Sequence, residues 1–377
     1  MIWAWMRKNL FNGPGNTLLT LITAYLLFVL GRSVLLWAFH EARWAVVPNN
    51  FRLFMVGPYP PGEVWRVWVA LAVFLFAVGF SIGAVAGYAR RALSLGAVLS
   101  LLVYALAWPA LLPGGRMGLF AALLALFLAW LLGAGLGPRR ARRLGVWVWL
   151  VGLFIALEVL AGVPSNRWGG LLLTVVATIF AVVLAFPLGL LLALGRTSRM
   201  PVISLLSTLY IELVRGVPLV TVLFLAWIMV PLFVPENFRV PQLVRGIAGF
   251  VLFAAAYLAE YVRGGLQGVP KGQWEAAWAL GLSGFHTVVF VILPQAIRAV
   301  IPALIGQAIA IFKDTSLFII IGIMDLLSMA QAVLSNPKYL GLEREVYLFV
   351  MFVYFLGAAT LSYLSRRLER AMGLGSR

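Results

Sequence analysis

The chain contains no cysteine, two histidines and few charges, with Asp, Glu, Lys and Arg making up 11% of its 377 residues. The missing cysteines exclude disulfides, thiol catalysis and cysteine metal sites. The histidines, His40 and His286, are far apart in sequence and fall on opposite sides of the membrane in the topology derived below, so no metal site is expected. Soluble domains carry about 25% charged residues. Here the deficit is matched by 63% hydrophobic residues and a mean hydropathy of +1.02, which rules out a soluble globular protein. Outer-membrane barrels are excluded too, because their strands alternate apolar with polar residues, whereas runs such as Val67 to Gly87 are apolar all round. An all-α polytopic membrane protein is left, with no need for a cofactor.

The charge that exists is lopsided, 29 Lys and Arg against 12 Asp and Glu, a net +17. No basic face is interleaved with stacking aromatics, so nucleic acid is not an expected partner. The cations instead sit in short clusters: Arg7 and Lys8, Arg90 and Arg91, Arg139 to Arg143, Arg196 and Arg199, Arg366 to Arg370. Such clusters mark cytoplasmic loops. At about 20 apolar residues per crossing, about ten spans are expected, near 18–39, 67–88, 94–112, 117–137, 145–163, 170–194, 203–234, 244–264, 288–312 and 347–365. With the N-terminus cytoplasmic, ten crossings put every cluster inside and the C-terminus cytoplasmic as well. The first apolar run is about 20 residues long and lacks a small-residue cleavage pattern, unlike a secretory signal. The seventh segment is too long for one straight span and holds Glu212, Arg215 and Pro218, so an amphipathic approach followed by a crossing, kinked at the proline, is expected there.

Organisation changes after Pro164. Residues 1–163 carry five expected spans and scarcely any motif, with the run at 138–144 as a seam, and residues 164–377 carry five spans and nearly all the charged patterns. Arg32 and Glu158 are the intramembrane charges of the first half; with Glu158 near a span end, snorkelling or a satisfied pair accounts for them better than a site does. Ala185, Gly189 and Ala193 have the spacing of close helix packing, and the 14 tryptophans read as interfacial anchors.

The most informative stretch is 269–294. It predicts a short helix after Pro270 and Gly272 with Glu275 in its first turn, where the helix dipole favours an acid. Ala276 and Ala277 allow a partner to approach closely. Gly281 and Gly284 permit a tight turn, and Leu293-Pro294 leads into the next span. Such a helix-turn-helix between two spans suits docking on a soluble protein.

Glu275-Ala276-Ala277, three residues, Gly281, nine residues and Val291-Ile292-Leu293-Pro294 resemble the "EAA" loop of binding-protein-dependent ABC transporter permeases, with valine where that pattern has isoleucine. Glu212-Leu-Val-Arg215-Gly216-Val217-Pro218-Leu219, Glu260-Tyr-Val-Arg263 and Lys313-Asp314-Thr315-Ser316-Leu317 resemble segments of the polar amino acid uptake permeases. The likeness covers about 165–377, a five-span ABC importer permease core. Residues 1–163 resemble, in length and layout, the N-terminal extension of permeases in general L-amino acid systems. The resemblance implies a permease subunit of an ATP-driven importer in the cell inner membrane, not an enzyme. Its expected partners are a cytoplasmic ABC ATPase dimer docked on the loop, a second permease, identical or homologous, and an extracytoplasmic solute-binding protein that delivers an L-amino acid. Consistent with a separate motor, no Gly-x-x-x-x-Gly-Lys-Ser/Thr sequence is present.

An amino acid in a low-dielectric path needs a cation and an anion. The candidates for substrate binding are Glu212, Arg215, Lys313, Asp314, Thr315 and Ser316, with Arg215 expected to take the carboxylate and Asp314 the ammonium. Glu212 with Arg215, and Glu260 with Arg263, can each also form a self-satisfied pair three residues apart; Glu260 and Arg263 are read as gate or hinge support. The alternative function is an ion-coupled secondary amino acid transporter, which needs acidic ligands near the midplane, and few are present.

Overall fold

In a computed structural model, residues 2–86, 112–233, 235 and 240–371 are described, and they form helices joined by short loops. The first part has α1 (Ile2–Asn9), α2 (Pro14–Leu36, extended by a wide π turn to Glu41), α3 (Val46–Asn49), α4 (Phe51–Val56), α5 (Val64–Ala86), α6 (Gly115–Gly135) and α7 (Gly137–Ala161). The second has α8 (Gly170–Arg196), α9 (Pro201–Arg215), α10 (Leu219–Phe224), α11 (Val230–Phe233), α12 (Gln242–Gln267), α13 (Lys271–Ala279), α14 (Gly284–His286), α15 (Leu293–Asp314), α16 (Leu326–Leu334) and α17 (Glu343–Ala371). Among the described residues, eight helices are long and apolar enough to cross a membrane, or nine if one bent pair is counted as a span. They match nine of the ten expected spans; the third, 94–112, lies outside the described residues except for its last.

The bent pair is the expected seventh span. α9 and the segment Leu219–Phe233 meet at 107° across Gly216-Val217-Pro218, because proline cannot donate the hydrogen bond that would continue the helix. α9 shows an apolar stripe of Val202, Leu205, Leu209 and Leu213 to the outside and buries Ser207 and Ile211, the pattern of a helix lying along a surface.

In the second half, α8 and α12 run parallel. A methyl group on Gly189 would lie within 2.8 Å of Leu258 Cβ and 2.9 Å of the Ala255 carbonyl, and Ala181, Ala185 and Ala193 are fully buried. Small residues let two backbones approach, and in lipid such van der Waals packing is what holds helices together. α15 returns antiparallel along α12, where Gly265 abuts Ala296 and Val300, and α17 closes on α15 through Phe312 and Tyr354, 5.4 Å apart.

In the first half, α5 and α6 also run parallel: Gly118 meets Trp68, and a methyl at Gly79 or Gly83 would collide with the carbonyls of Leu126 or Trp130. α7 runs antiparallel to both, with Arg66 donating to the Val159 carbonyl at 3.1 Å. The first half does not stop at residue 163 in packing terms. Val46 and Phe54 are buried in one cluster with Leu326, Ala330, Val333, Val346 and Val350, Arg43 N–H donates to Glu345 Oε1 at 2.9 Å, and Gly57 lies against Gly169.

Candidate functional site

The loop between α12 and α15 folds as its residues dictate. Pro270 caps α13, whose nine residues end in a Schellman turn: Leu282 N–H donates to the Ala277 carbonyl at 3.1 Å, and Gly281 N–H to Trp278 at 2.9 Å. The turn needs a left-handed residue at its centre, and Gly281 has φ of 76°. Ser283 then caps α14, its hydroxyl 2.7 Å from His286 Nδ1. Glu275 is the fifth residue of α13, one turn later than expected, so the first turn contains no acid; the helix starts at Lys271 because Pro270 already has the backbone shape of a cap. Glu275, Ala276 and Gly281 are exposed and Ala277 is buried against its own chain. Trp278, Leu280 and Phe285 are more than half exposed, an exposed apolar tip on the loop.

Leu293 and Pro294 do not begin a separate helix. A π turn over Thr287–Ile292 joins α14 to α15 without a break, and Pro294 falls in the first turn of α15. The wider turn accommodates a proline that donates no backbone bond. Gln295 ties this junction to the loop, donating to Val291 O at 2.7 Å and to Gln273 Oε1 at 3.2 Å.

Next to the loop, charges from three helices converge. Glu260 on α12 accepts from Arg196 Nη1 at 2.7 Å and from Arg263 Nη2 at 2.8 Å, and lies 3.4 Å from Arg215 Nη1. Arg196 also reaches Glu212 at 2.8 Å. Arg263 is held further by Gln267 Oε1 at 3.0 Å, and the Arg215 guanidinium sits 5.5 Å from the centre of the Tyr257 ring. Of the two pairs expected from spacing, Glu260–Arg263 forms and Glu212–Arg215 does not: each of those residues takes a partner on another helix. α9 lies across the ends of α8 and α12, so Glu212 meets Arg196 before it can fold back on its own helix. Three arginines thus share two carboxylates. Glu260, at the centre, is 14% exposed, while Glu212 at the edge is 56% exposed.

Lys313, Asp314, Thr315 and Ser316 stand at the junction of α15 with a 3-10 turn over Thr315–Ile321. Lys313 is exposed, Asp314 and Ser316 are half-buried, and Thr315 is fully buried with its hydroxyl on the Phe312 carbonyl at 2.7 Å. This junction faces α12 between the Tyr261–Gln307 contact and the Phe250–Phe318 ring pair. It is therefore set deeper along α12 than the arginine cluster, and no contact joins it to Arg215.

Sequence reasoning missed Arg196 as the link between Glu212 and Glu260; the only signal was a cation at the end of a span. It also missed Asp325, fully buried, whose carboxylate accepts from the N–H groups of Leu327 and Ser328, both at 3.0 Å, and from the Tyr354 hydroxyl at 3.1 Å. Asp325 lies outside the spans, in the loop before α16. There desolvation pushes its carboxyl above the usual carboxylate range, against the pull of these donors. Among the described residues, no group of acids and histidines could hold a metal ion.

A bundle of membrane-crossing helices, with a small-residue seam, a broken span and a two-helix loop beside an arginine cluster, has the layout of a transport-protein membrane subunit. Residues 185–374 match the family described as binding-protein-dependent transport system inner membrane component, and the chain belongs to that family. It is 37% identical over 386 residues, 98% of this chain and 93% of the other, to the inner membrane amino-acid ABC transporter permease protein YhdY of Escherichia coli K12. It is 34% identical, with the same coverage, to the glutamate/glutamine/aspartate/asparagine transport system permease protein BztC of Rhodobacter capsulatus. The glutamate/aspartate import permease protein GltK of Escherichia coli O6:H1 is 36% identical over 54% of this chain and 95% of its own length. A solved amino acid ABC transporter with histidines aligns at a TM-score of 0.48 and 32% identity over 60% of this chain and 96% of that chain. The protein is a multi-pass permease of the inner membrane.

Proposed function

We propose that this chain is a permease subunit of an ATP-driven importer of L-amino acids, coupled to a separate ATPase dimer through residues 269–294. The observation that carries the reading is the loop: a Schellman-turned helical hairpin with an apolar tip of Trp278, Leu280 and Phe285, tied by Gln295 to the start of a membrane helix. A push on α13 then reaches α15 through the Gln273–Gln295 bond and the π turn. With the basic clusters inside, the loop and both termini face the cytoplasm, and a solute-binding protein delivers substrate from the other side to a pair of permeases.

The arginine cluster closes the cytoplasmic end between α8, α9 and α12. Arg215, 35% exposed and at 3.4 Å from Glu260, has the loosest contact of the set. A substrate carboxylate competes with Glu260 for it, and Asp314, half-buried on α15, meets the ammonium at another depth of the path. Lys313 and Ser316 border that position, and the buried Thr315 braces it. Glu260 and Arg263 act as the gate. Residues 1–163 form a collar on this core, a division supported by the short relative that matches 54% of the chain.

The test is uptake of a labelled L-amino acid mixture into vesicles carrying this chain with its second permease, ATPase and binding protein, with and without internal ATP. ATP-dependent accumulation is expected, and the accumulated species define specificity. Uptake driven by an ion gradient without ATP would instead establish a secondary transporter.

A further inference from the structure

Three fully buried polar side chains, Thr174 on α8, Thr315 after α15 and Asp325 before α16, meet at Tyr354 of α17. The Tyr354 hydroxyl donates to Asp325 Oδ2 at 3.1 Å, and the hydroxyls of Thr174 and Thr315 reach the same oxygen. A buried hydrogen-bond network can be replaced by apolar groups of the same shape at little cost in stability. What a satisfied network adds is a single geometry, and the geometry fixed here belongs to Thr315.

α17 grips the end of α15 at two points. The Tyr354 ring meets Phe312 at 5.4 Å, and Gly357 admits the Phe312 ring so closely that a Cβ there would stand 2.6 Å from it. Thr315 joins the two points, its hydroxyl donating to the Phe312 carbonyl at 2.7 Å. Adjacent side chains on a helical turn do not face one another, so a threonine held inward turns the residues on either side outward. Asp314 and Ser316 are accordingly only half-buried. Asp314 makes no hydrogen bond or ion pair among the described residues, which leaves its carboxylate for a cation that the chain does not supply.

We propose that Tyr354, held by Asp325, is a positioning residue for substrate: it keeps Thr315 inward and so fixes the direction in which Asp314 and Ser316 face the path. The assignment rests on the reading of Asp314 as the ammonium contact. Asp325 acts at one remove, orienting the tyrosine hydroxyl from a loop that is itself tied to the start of α8, where the Gly170 N–H donates to the Met324 carbonyl at 2.9 Å. The aim of the substrate contact is thus set by α8, α17 and the loop before α16, and not by α15 alone.

The cysteine-free sequence gives this direction a readout. Ser316→Cys is labelled with a small water-soluble thiol reagent in the assembled complex, alone and combined with Tyr354→Phe, which removes the hydroxyl and keeps the ring on Phe312. The labelling rate is expected to differ between the two by about fivefold, the worth of one net hydrogen bond. Ser207→Cys, buried on α9, is the control and is expected to stay unlabelled with and without Tyr354→Phe. In vesicles with the second permease, ATPase and binding protein, Tyr354→Phe is expected to lower maximal ATP-driven uptake of a labelled L-amino acid mixture about tenfold while ATP hydrolysis persists, and Thr315→Val to add no further loss when combined with it. Equal labelling rates, no labelling at position 316, labelling at position 207, or additive losses of uptake overturn the assignment. Labelling needs no transport, so it also separates two failures: a turn that moves in a complex whose wild type shows no ATP-driven uptake overturns the importer reading and the substrate role together, whereas a turn that does not move in an active importer overturns the positioning role alone.

Discussion

Arg196 and Glu260, on parallel helices and 64 residues apart in sequence, meet at 2.7 Å and join two further arginines and Glu212 into one cluster. Its order is set by burial. Glu260 is the hub, so Glu260→Gln leaves Arg196, Arg215 and Arg263 facing a single acid. Hydrogen bonds to charged groups contribute about 1.5–3 kcal/mol each. Solvent access at the arginines discounts the sum to about 2–3 kcal/mol. Glu212→Gln, at the exposed edge, is expected to cost under about 1 kcal/mol. Thermal unfolding of the detergent-solubilised complex measures both, and equal losses would count against a hub.

The turn at Gly281 separates folding from docking. A Cβ there meets no atom within 4 Å, so Gly281→Ala carries only the cost of a left-handed non-glycine residue, about 1–2 kcal/mol. Gly281→Trp is expected to leave the chain inserted at normal abundance while reducing ATP-driven uptake at least tenfold, because the ring projects from the loop tip. Unimpaired uptake in that variant would remove the docking role from the loop.

Much of this was readable in the residues. Hydropathy located the spans because lipid demands apolar length, Gly216-Val217-Pro218 marked the bend because proline breaks the backbone ladder, and Gly281 marked the turn because few other residues take positive φ. The cluster was not readable in full. Spacing along one helix suggests Glu212 with Arg215, yet partner choice depends on how α9 crosses α8 and α12, which no local pattern encodes. The packing of residues 46–55 onto α16 and α17 was equally hidden, since four- and six-residue helices are too short to show a period.

Asp325 anchors the loop before α16. Its carboxylate caps that helix and receives the Tyr354 hydroxyl, while the Thr174 hydroxyl accepts from the Leu326 N–H at 3.2 Å, so three helices meet there. Asp325→Ala leaves two helix N–H groups without a partner and takes one acceptor from the Tyr354 hydroxyl, a loss of about 2–3 kcal/mol. Asp325→Asn keeps an acceptor and is expected to recover about half of that. Matching melting temperatures for the two variants would show that the cap contributes nothing.

The seam at residue 163 divides motifs, not packing, and truncation distinguishes the two. Val46, Phe54, Val56 and Tyr59 are each no more than 2% exposed, and they lie outside the apolar spans, where water is the alternative environment and burial is favourable. At about 1.5 kcal/mol or more per such side chain, removal of residues 1–163 strips on the order of 6 kcal/mol from contacts involving the second half. Removal of residues 1–42 takes only α1, α2 and the π turn, which contribute no buried side chain among the described residues. The shorter truncation is therefore expected to yield an inserted, thermally stable permease, and the longer one to be recovered at low abundance or degraded. Equal recovery and equal melting temperatures would mean that the cluster around Phe54 is dispensable and that the second half folds without it.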